Sequence, residues 1–219
     1  MSNICIIGHI SIDKIHNNKN IHESIGGPPC YSGLTCINEG HNIEVLTKVG
    51  KEFPDKYESW LKDRNIEIKN QKSSKNTTSF DIKEINNNKH LRLISQCEEI
   101  IPKKTMLSNY DGIIISPIAN ELNKENNKII NKLDNKTMLD PQGYIREFDK
   151  EGFCNLRHIR INELPRTDII KISEEESMML DNSTRMLDRL KKIAETYPIT
   201  IGTIGNDSTY LINNKICYA

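Results

Sequence analysis

The chain is predicted to be an α/β domain with a central parallel sheet and a smaller sheet set apart from it. Three observations predict this. Short continuous apolar runs such as Asn3–Gly8 (NICIIG) and Gly112–Ser116 (GIIIS) read as strands buried on both faces. They alternate with stretches whose apolar residues fall three and four apart, the spacing of a helix packed on one side. Between Thr77 and Ile101 this rhythm gives way to apolar-polar alternation, the pattern of a hairpin with one wet face.

Asn3–Gly8 is the first central strand. His9–Asp13 (HISID) follows it without GxGxxG spacing, which excludes a dinucleotide-binding turn. Asp13 lies just past the carboxyl end of that strand, where ligands of open α/β sheets bind. A carboxylate there suits substrate hydroxyls, and it equally suits a turn. Lys14–Ser24 alternates weakly and reads as a solvent-edged hairpin. In Ile25–Gly33 (IGGPPCYSG), paired glycines allow positive φ and close approach, and a proline opens a helix expected from near Pro29 to Glu39, stopped by Gly40. The amides at its start offer a place for an anion or a polar ligand, although the same nine residues also make a plain strand-turn-helix connection. Asn42–Gly50 is a further strand, and Pro54–Arg64, with Tyr57, Trp60 and Leu61 on one side, a further helix.

Thr78–Ile85 and His90–Ile94 are expected to pair across Asn86-Asn87-Asn88. With Lys14–Ser24 they would form a small sheet over the carboxyl ends of the main strands, a lid, or else extend the main sheet at its edge. The alternation then resumes through a helix over Asn123–Leu133 and a strand over Lys136–Asp140, which puts a second carboxylate, Asp140, at a strand end. Asp168–Ile172 is a strand, and Ser173 with Glu176 three residues on forms a capping box that opens a helix. A helix over Arg185–Tyr197, a strand over Pro198–Ile204, and a hairpin of Ser208–Ile212 with Ile216–Tyr218 across Asn213-Asn214 complete the order.

At 219 residues, 36% hydrophobic and 27% charged, the chain suits one large α/β domain. Thirty basic and thirty acidic residues cancel, so no overall field favours nucleic acid or an anionic membrane. Cysteines at 5, 30, 36, 97, 154 and 217 form no CxxC pair and have no zinc-finger histidine spacing, which fits a reduced, cytoplasmic protein. The apolar run near the N-terminus is too short for a signal segment or a membrane span.

Six segments occur together in one order: Gly8–Asp13, Gly26-Gly27-Pro28-Pro29, Leu46–Gly50 (LTKVG), Asp140–Arg146 (DPQGYIR), Lys171–Glu176 (KISEEE) and Thr203-Ile204-Gly205. That order resembles the ribokinase family, also called PfkB-type carbohydrate kinases, over Asn3–Ala219. The resemblance implies a doubly wound three-layer αβα domain over residues 1–219 with lid segments 13–25 and 77–97. It implies transfer of the terminal phosphoryl group of ATP, with Mg2+, to an alcohol of a sugar, polyol or nucleoside. By position, Asp13 resembles the family's substrate-binding carboxylate, Gly26 and Gly27 its di-glycine hinge beside the substrate, and Asp140 the acidic residue that lines the cleft. Glu176 resembles the magnesium-organising glutamate, and Thr203 and Gly205 the nucleotide-binding turn. Some relatives dimerise through the lid, so a homodimer is among the expectations.

Three residues depart from the pattern. Tyr31 stands where sugar-specific members often carry a small polar residue, Ser173 where asparagine is usual, and Ser208 where glycine is expected. The family's Gly-Ala-Gly-Asp motif, which supplies an anion hole and the aspartate base, does not occur in this sequence. The resemblance places the base beyond the equivalent of Ala219, so no catalytic residue is assigned within the chain. On this reading the chain is a C-terminally truncated kinase with little turnover of its own. The other expectation is a non-catalytic small-molecule binding module of the same fold.

Overall fold

The fold is described from a computed structural model over residues 1–17, 20–71, 73–85, 88–205, 207–213 and 216–218. Its first part contains β1 (Asn3–Ile7), β2 (Ser11–Asn17), β3 (Asn20–Gly26), α1 (Pro28–Asn38), β4 (Asn42–Thr47), α2 (Asp55–Lys62) and β5 (Ile66–Asn70). There follow β6 (Thr78–Ile85), β7 (Asn88–Ser95), α3 (Lys104–Leu107), β8 (Gly112–Ile115), α4 (Lys124–Ile130), β9 (Lys136–Leu139) and α5 (Gln142–Ile145). The last part holds β10 (Arg146–Phe148), β11 (Cys154–Leu156), β12 (Ile169–Ser173), α6 (Glu174–Leu180), α7 (Met186–Ile193), β13 (Ile199–Ile204), β14 (Ser208–Asn213) and β15 (Ile216–Tyr218).

Nine strands form the main sheet in the order β15-β14-β13-β12-β9-β8-β1-β4-β5. The pairings from β13 to β5 are parallel, and β14 and β15 add an antiparallel hairpin at one edge. Successive residues of a strand face opposite sides, so β1 contributes Ile6 to an apolar cluster with α1 and α2 on one side. Cys5 and Ile7 go to a second cluster, with α4, α5 and α7, on the other. Ile6 and Ile7 are both fully buried, worth roughly 1.5–3 kcal/mol each. The result is the doubly wound, three-layer αβα arrangement, and no helix among the described residues is long and apolar enough to cross a membrane.

A separate four-stranded sheet, β3-β2-β6-β7, contains the two segments that alternate in sequence. Its base is where the chain crosses to and from the body, since Ser11 pairs with Gly26 and Thr78, and Ser79 with Ser95. The edge-extension alternative is therefore not what the chain adopts. Asn86 and Asn87 of the first expected turn, Asn214 of the second, and Ala219 lie outside the described residues.

Several sequence expectations need correction. Strand β5, the β10–β11 hairpin and the short α3 and α5 have no counterpart among them. Helices α4 and α7 are shorter than expected because their last turns tighten: Leu133 N–H donates to Ile130 C=O at 3.0 Å and Thr196 N–H to Ile193 C=O at 3.0 Å. Strand β12 begins one residue later than expected, at Ile169. Asp168 instead turns its carboxylate to accept the Thr137 N–H at 2.8 Å.

Candidate active site

The chain moves from β1 to β4 on one side and returns later to β8 on the other, which makes the carboxyl ends of β1 and β8 a topological switch point. A cavity of about 750 Å³ opens there beneath the four-stranded sheet. Its roof is mixed: Ile15 of β2, Phe80 and Ile82 of β6 and Leu91 of β7 are apolar, and His16 of β2 and Glu84 of β6 add polar groups beside them. Its floor is polar, with Asp140 and Gln142 beyond β9 and Arg146 at the start of β10, while Ser11 and Asp13 line it from the base of β2, in the roof sheet itself. The N-terminus of α1 closes one side with Gly27, Pro28, Tyr31 and Ser32.

Asp13 is not a turn residue. It is a buried strand position in β2, opposite Ser24. Gly26 lies against it, and a Cβ built there would collide with the Asp13 carboxylate and come within 2.9 Å of Ser11 Oγ. Gly27 has φ 91° and is the residue before α1, a left-handed conformation that glycine adopts without penalty. Any Cβ on it would run into the His9 carbonyl. The two glycines thus let the helix start approach the strand that carries the carboxylate. Burial, and secondarily the Asp13 charge, push the Cys30 thiol up to about 12 and raise the Tyr31 hydroxyl.

Asp140 is held above the ordinary carboxylate range by burial. The Lys171 ammonium, 3.6 Å from its Oδ2, acts in the opposite direction, and Glu176 adds to the rise. Arg146 also favours the charged form of Asp140, while its Nη1 donates to the Ile118 carbonyl at 3.1 Å. A carboxylate and a guanidinium therefore share the cavity floor.

The frame beneath is built by Glu121, which is fully buried. Its carboxylate accepts the backbone N–H groups of His9 at 2.8 Å, Ile118 at 2.9 Å and Ala119 at 2.7 Å, tying the loop after β8 to the loop after β1. The His9 ring bridges Thr78 Oγ1 at 2.8 Å and the Glu98 carbonyl at 3.0 Å, which fastens the base of the roof to the same loop.

Of the residues singled out in sequence, Asp13, Gly27 and Asp140 line this one cavity, and Gly26 abuts it. Glu176, Thr203 and Gly205 do not line it. They lie along the same sheet edge, at the ends of β12 and β13, where Ser173 is in register with Thr203. Glu176 completes the capping box: its Oε2 accepts the Ser173 N–H at 2.9 Å, and Ser173 Oγ accepts the Glu176 N–H at 3.2 Å. Gly205 turns with φ 44° and open space beside it. Glu121 carries no sequence signal, because one acid in a loop gives no hint of three amides converging on it. Ser11 and Arg146 are visible only as letters within longer motifs.

Among the described residues no group of three or more His, Cys, Asp or Glu side chains forms a metal cage. Asp140 and Glu176, close enough for one charge to raise the other's pKa, instead suit a magnesium ion held by one or two carboxylates, waters and phosphate oxygens.

A doubly wound αβα body with a four-stranded sheet over its switch point defines the ribokinase-type carbohydrate kinase fold, and this chain has it. Among solved structures it is similar to a pyrophosphate-dependent kinase in the ribokinase family, complexed with a pyrophosphate analog and myo-inositol. The TM-score is 0.85 at 20% identity, over 98% of this chain and 77% of that one. Ribokinase from Thermotoga maritima matches with TM-score 0.73 at 14% identity, over 100% of this chain and 77% of that one. The Methanocaldococcus jannaschii nucleoside kinase matches with TM-score 0.70 at 19% identity, over 99% and 75%. No protein-family model and no curated protein matches the sequence.

Proposed function

We propose that the protein is a phosphotransferase that binds a cyclic polyol or sugar in the cavity under the four-stranded sheet and places one of its hydroxyls for phosphorylation. The observation that carries this is that Asp13, at the base of the roof sheet, and Asp140, on the floor, line one cavity together with the apolar side chains of Ile15, Phe80, Ile82 and Leu91, in a fold shared with kinases. A ring with CH faces and a hydroxyl rim matches this lining: the faces meet Ile15, Ile82 and Leu91, and hydroxyls donate to the Asp13 carboxylate. A nucleoside base would need a stacking slot. Phe80 already packs against Phe148 with centroids 6.1 Å apart, and the Tyr31 ring at the side of the cavity is largely exposed, so the nucleoside arm of the test below decides this point.

The donor is assigned as ATP with Mg2+, with Thr203 and Gly205 on the nucleotide side. Pyrophosphate is the second reading, favoured by the likeness to the pyrophosphate-dependent kinase. Magnesium, held near Asp140 and Glu176, would supply charge neutralisation on the transferring phosphoryl group. Phosphoryl transfer depends mainly on alignment and electrostatics, and what this chain contributes is acceptor orientation by Asp13, a cation at Arg146, and exclusion of water by the roof acting as a lid.

The test incubates the protein with ATP and Mg2+, and separately with pyrophosphate and Mg2+, against inositols, hexoses, pentoses and nucleosides, reading products by 31P NMR. A phosphomonoester of a cyclic polyol or sugar is expected with at least one donor. Calorimetric binding of such a compound without transfer would favour the non-catalytic binding module. Neither binding nor transfer across the panel would overturn the reading.

A further inference from the structure

The roof is built like a cantilever. Each chain crossing between it and the body falls at one end, at Ser11, Gly26, Thr78 and Ser95, and the last described pairs of its two hairpins, Asn17 with Asn20 and Ile85 with Asn88, lie at the other. A sheet held only there would swing, and its edge strand β7 would show unpaired amides. Part-way along β7 the body reaches up and takes hold of it. The Leu93 N–H donates to the Gly152 carbonyl at 2.8 Å, the Arg92 Nε to the Glu151 carbonyl at 2.7 Å, and Arg92 pairs as a lone bridge with Phe153. The Arg92 guanidinium also lies over the Phe153 ring, 5.5 Å from its centroid.

The grip comes from the turn of the β10–β11 hairpin. Asp149 Oδ1 accepts the N–H groups of Glu151 and Phe153, each at 2.9 Å, and closes that turn. Gly152 has φ 88°, and a Cβ on it would strike the Leu93 carbonyl. This hairpin begins at Arg146, on the cavity floor, and its Phe148 packs on Phe80, in the cavity roof. One short element therefore touches floor, roof and roof edge.

We propose that the 146–156 hairpin is a clasp that sets the height of the cavity, with Arg92 and Gly152 as positioning residues acting through it on Arg146 and Phe80. It pre-forms the cavity before the acceptor arrives, which lowers the ordering cost of binding. For its kinetic consequence the inference rests on the acceptor-site reading; for its structural consequence it does not.

The experiment compares the full chain with Arg92→Ala, Arg92→Lys and Gly152→Ala. Hydrogen exchange is followed at Leu93 and along Ile12–Ile15 and Phe80–Ile82. Calorimetry measures affinity for whichever polyol or sugar the wild type binds. Arg92 is exposed, so its replacement leaves the core intact. Exchange at Leu93 and along both roof segments is expected to quicken about five- to tenfold in Arg92→Ala, the factor for one lost hydrogen bond. Acceptor affinity should weaken by a similar factor while donor KM stays within about twofold, and Arg92→Lys, which keeps a donor and the stem over Phe153, should recover most of both. Unchanged roof exchange in both Arg92→Ala and Gly152→Ala overturns the clasp. So does quickening confined to residues 149–153 with unaltered acceptor affinity. A wild type that binds no acceptor refutes the functional reading instead, and the exchange data then decide the clasp alone.

Discussion

Replacing Asp13 is the perturbation whose effect follows most closely from the geometry. Asp13 is buried in β2 where that strand lines the cavity, and Gly26 leaves its carboxylate the space that a Cβ on residue 26 would fill. A hydrogen bond to a charged acceptor contributes roughly 1.5–3 kcal/mol. A carboxylate that accepts from two ring hydroxyls, less the water that fills the gap after truncation, gives a net loss of about 3 kcal/mol for Asp13→Ala, near 150-fold in acceptor Kd. Asp13→Asn keeps one acceptor and loses the charge, so about half that free energy and roughly tenfold are expected. The assay is calorimetric titration of the preferred polyol or sugar into each variant, with donor KM measured in parallel and thermal melting as the check on folding. Donor KM should stay within about twofold, since Thr203 and Gly205, the residues proposed for the donor, do not line this cavity. Equal weakening toward acceptor and donor, or acceptor affinity unchanged in the Ala variant, would refute the assignment.

Three further outcomes are expected. Gly27→Ala forces a side chain into a residue at φ 91° against the His9 carbonyl, so stability should fall by about 1–3 kcal/mol with a matching loss of acceptor affinity, read by melting and calorimetry. In Glu176→Gln the capping bond to the Ser173 amide survives because a glutamine oxygen still accepts it. Melting should therefore shift by less than about 2–4 °C while the magnesium concentration for half-maximal rate rises; a shift in melting with unchanged magnesium dependence would leave Glu176 as a cap alone. Asp140 holds its proton more tightly folded than unfolded because burial raises its pKa, so its contribution to stability falls as pH rises through the carboxylate range and past the folded value. Asp140→Asn should then melt higher than the wild type at pH 7, equal it near pH 3, and transfer phosphate poorly. A lower melting point at pH 7 would mean that the Lys171 pairing outweighs the burial.

How much of this was legible depended on whether the signal was local. Strands β1 and β8 are continuous apolar runs because both their faces are covered, and burial of Ile6, Ile7, Ile113 and Ile115 bears that out. The Gly-Gly-Pro-Pro joint and the Ser173–Glu176 box also declare themselves, since φ restriction and capping act within four residues. Strand β5 did not: Ile66–Asn70 (IEIKN) lies at the sheet edge, is half exposed, and follows α2 almost without a break. The β10 and β11 strands are three residues each and owe their form to contact with β7, which local composition cannot report. The same limit hides Glu121 and sets Arg146 apart from its motif, because amides of two loops meet at the first and the cavity floor is assembled around the second only after folding. Asp13 and Asp140 were placed at strand ends from sequence; that they face one cavity is a fact of the strand order.

In the proposed reaction the acceptor occupies the space between the sheet ends and the roof. Hydrogen-exchange mapping of the protein with and without a saturating polyol or sugar tests this most directly. Added protection is expected at residues 11–15, 27–32, 80–82 and 140–146, the elements that line the cavity. Protection that appears instead at the groove between α2 and β5, lined by Val49, Phe53, Ile66 and Ile68, would contradict the account.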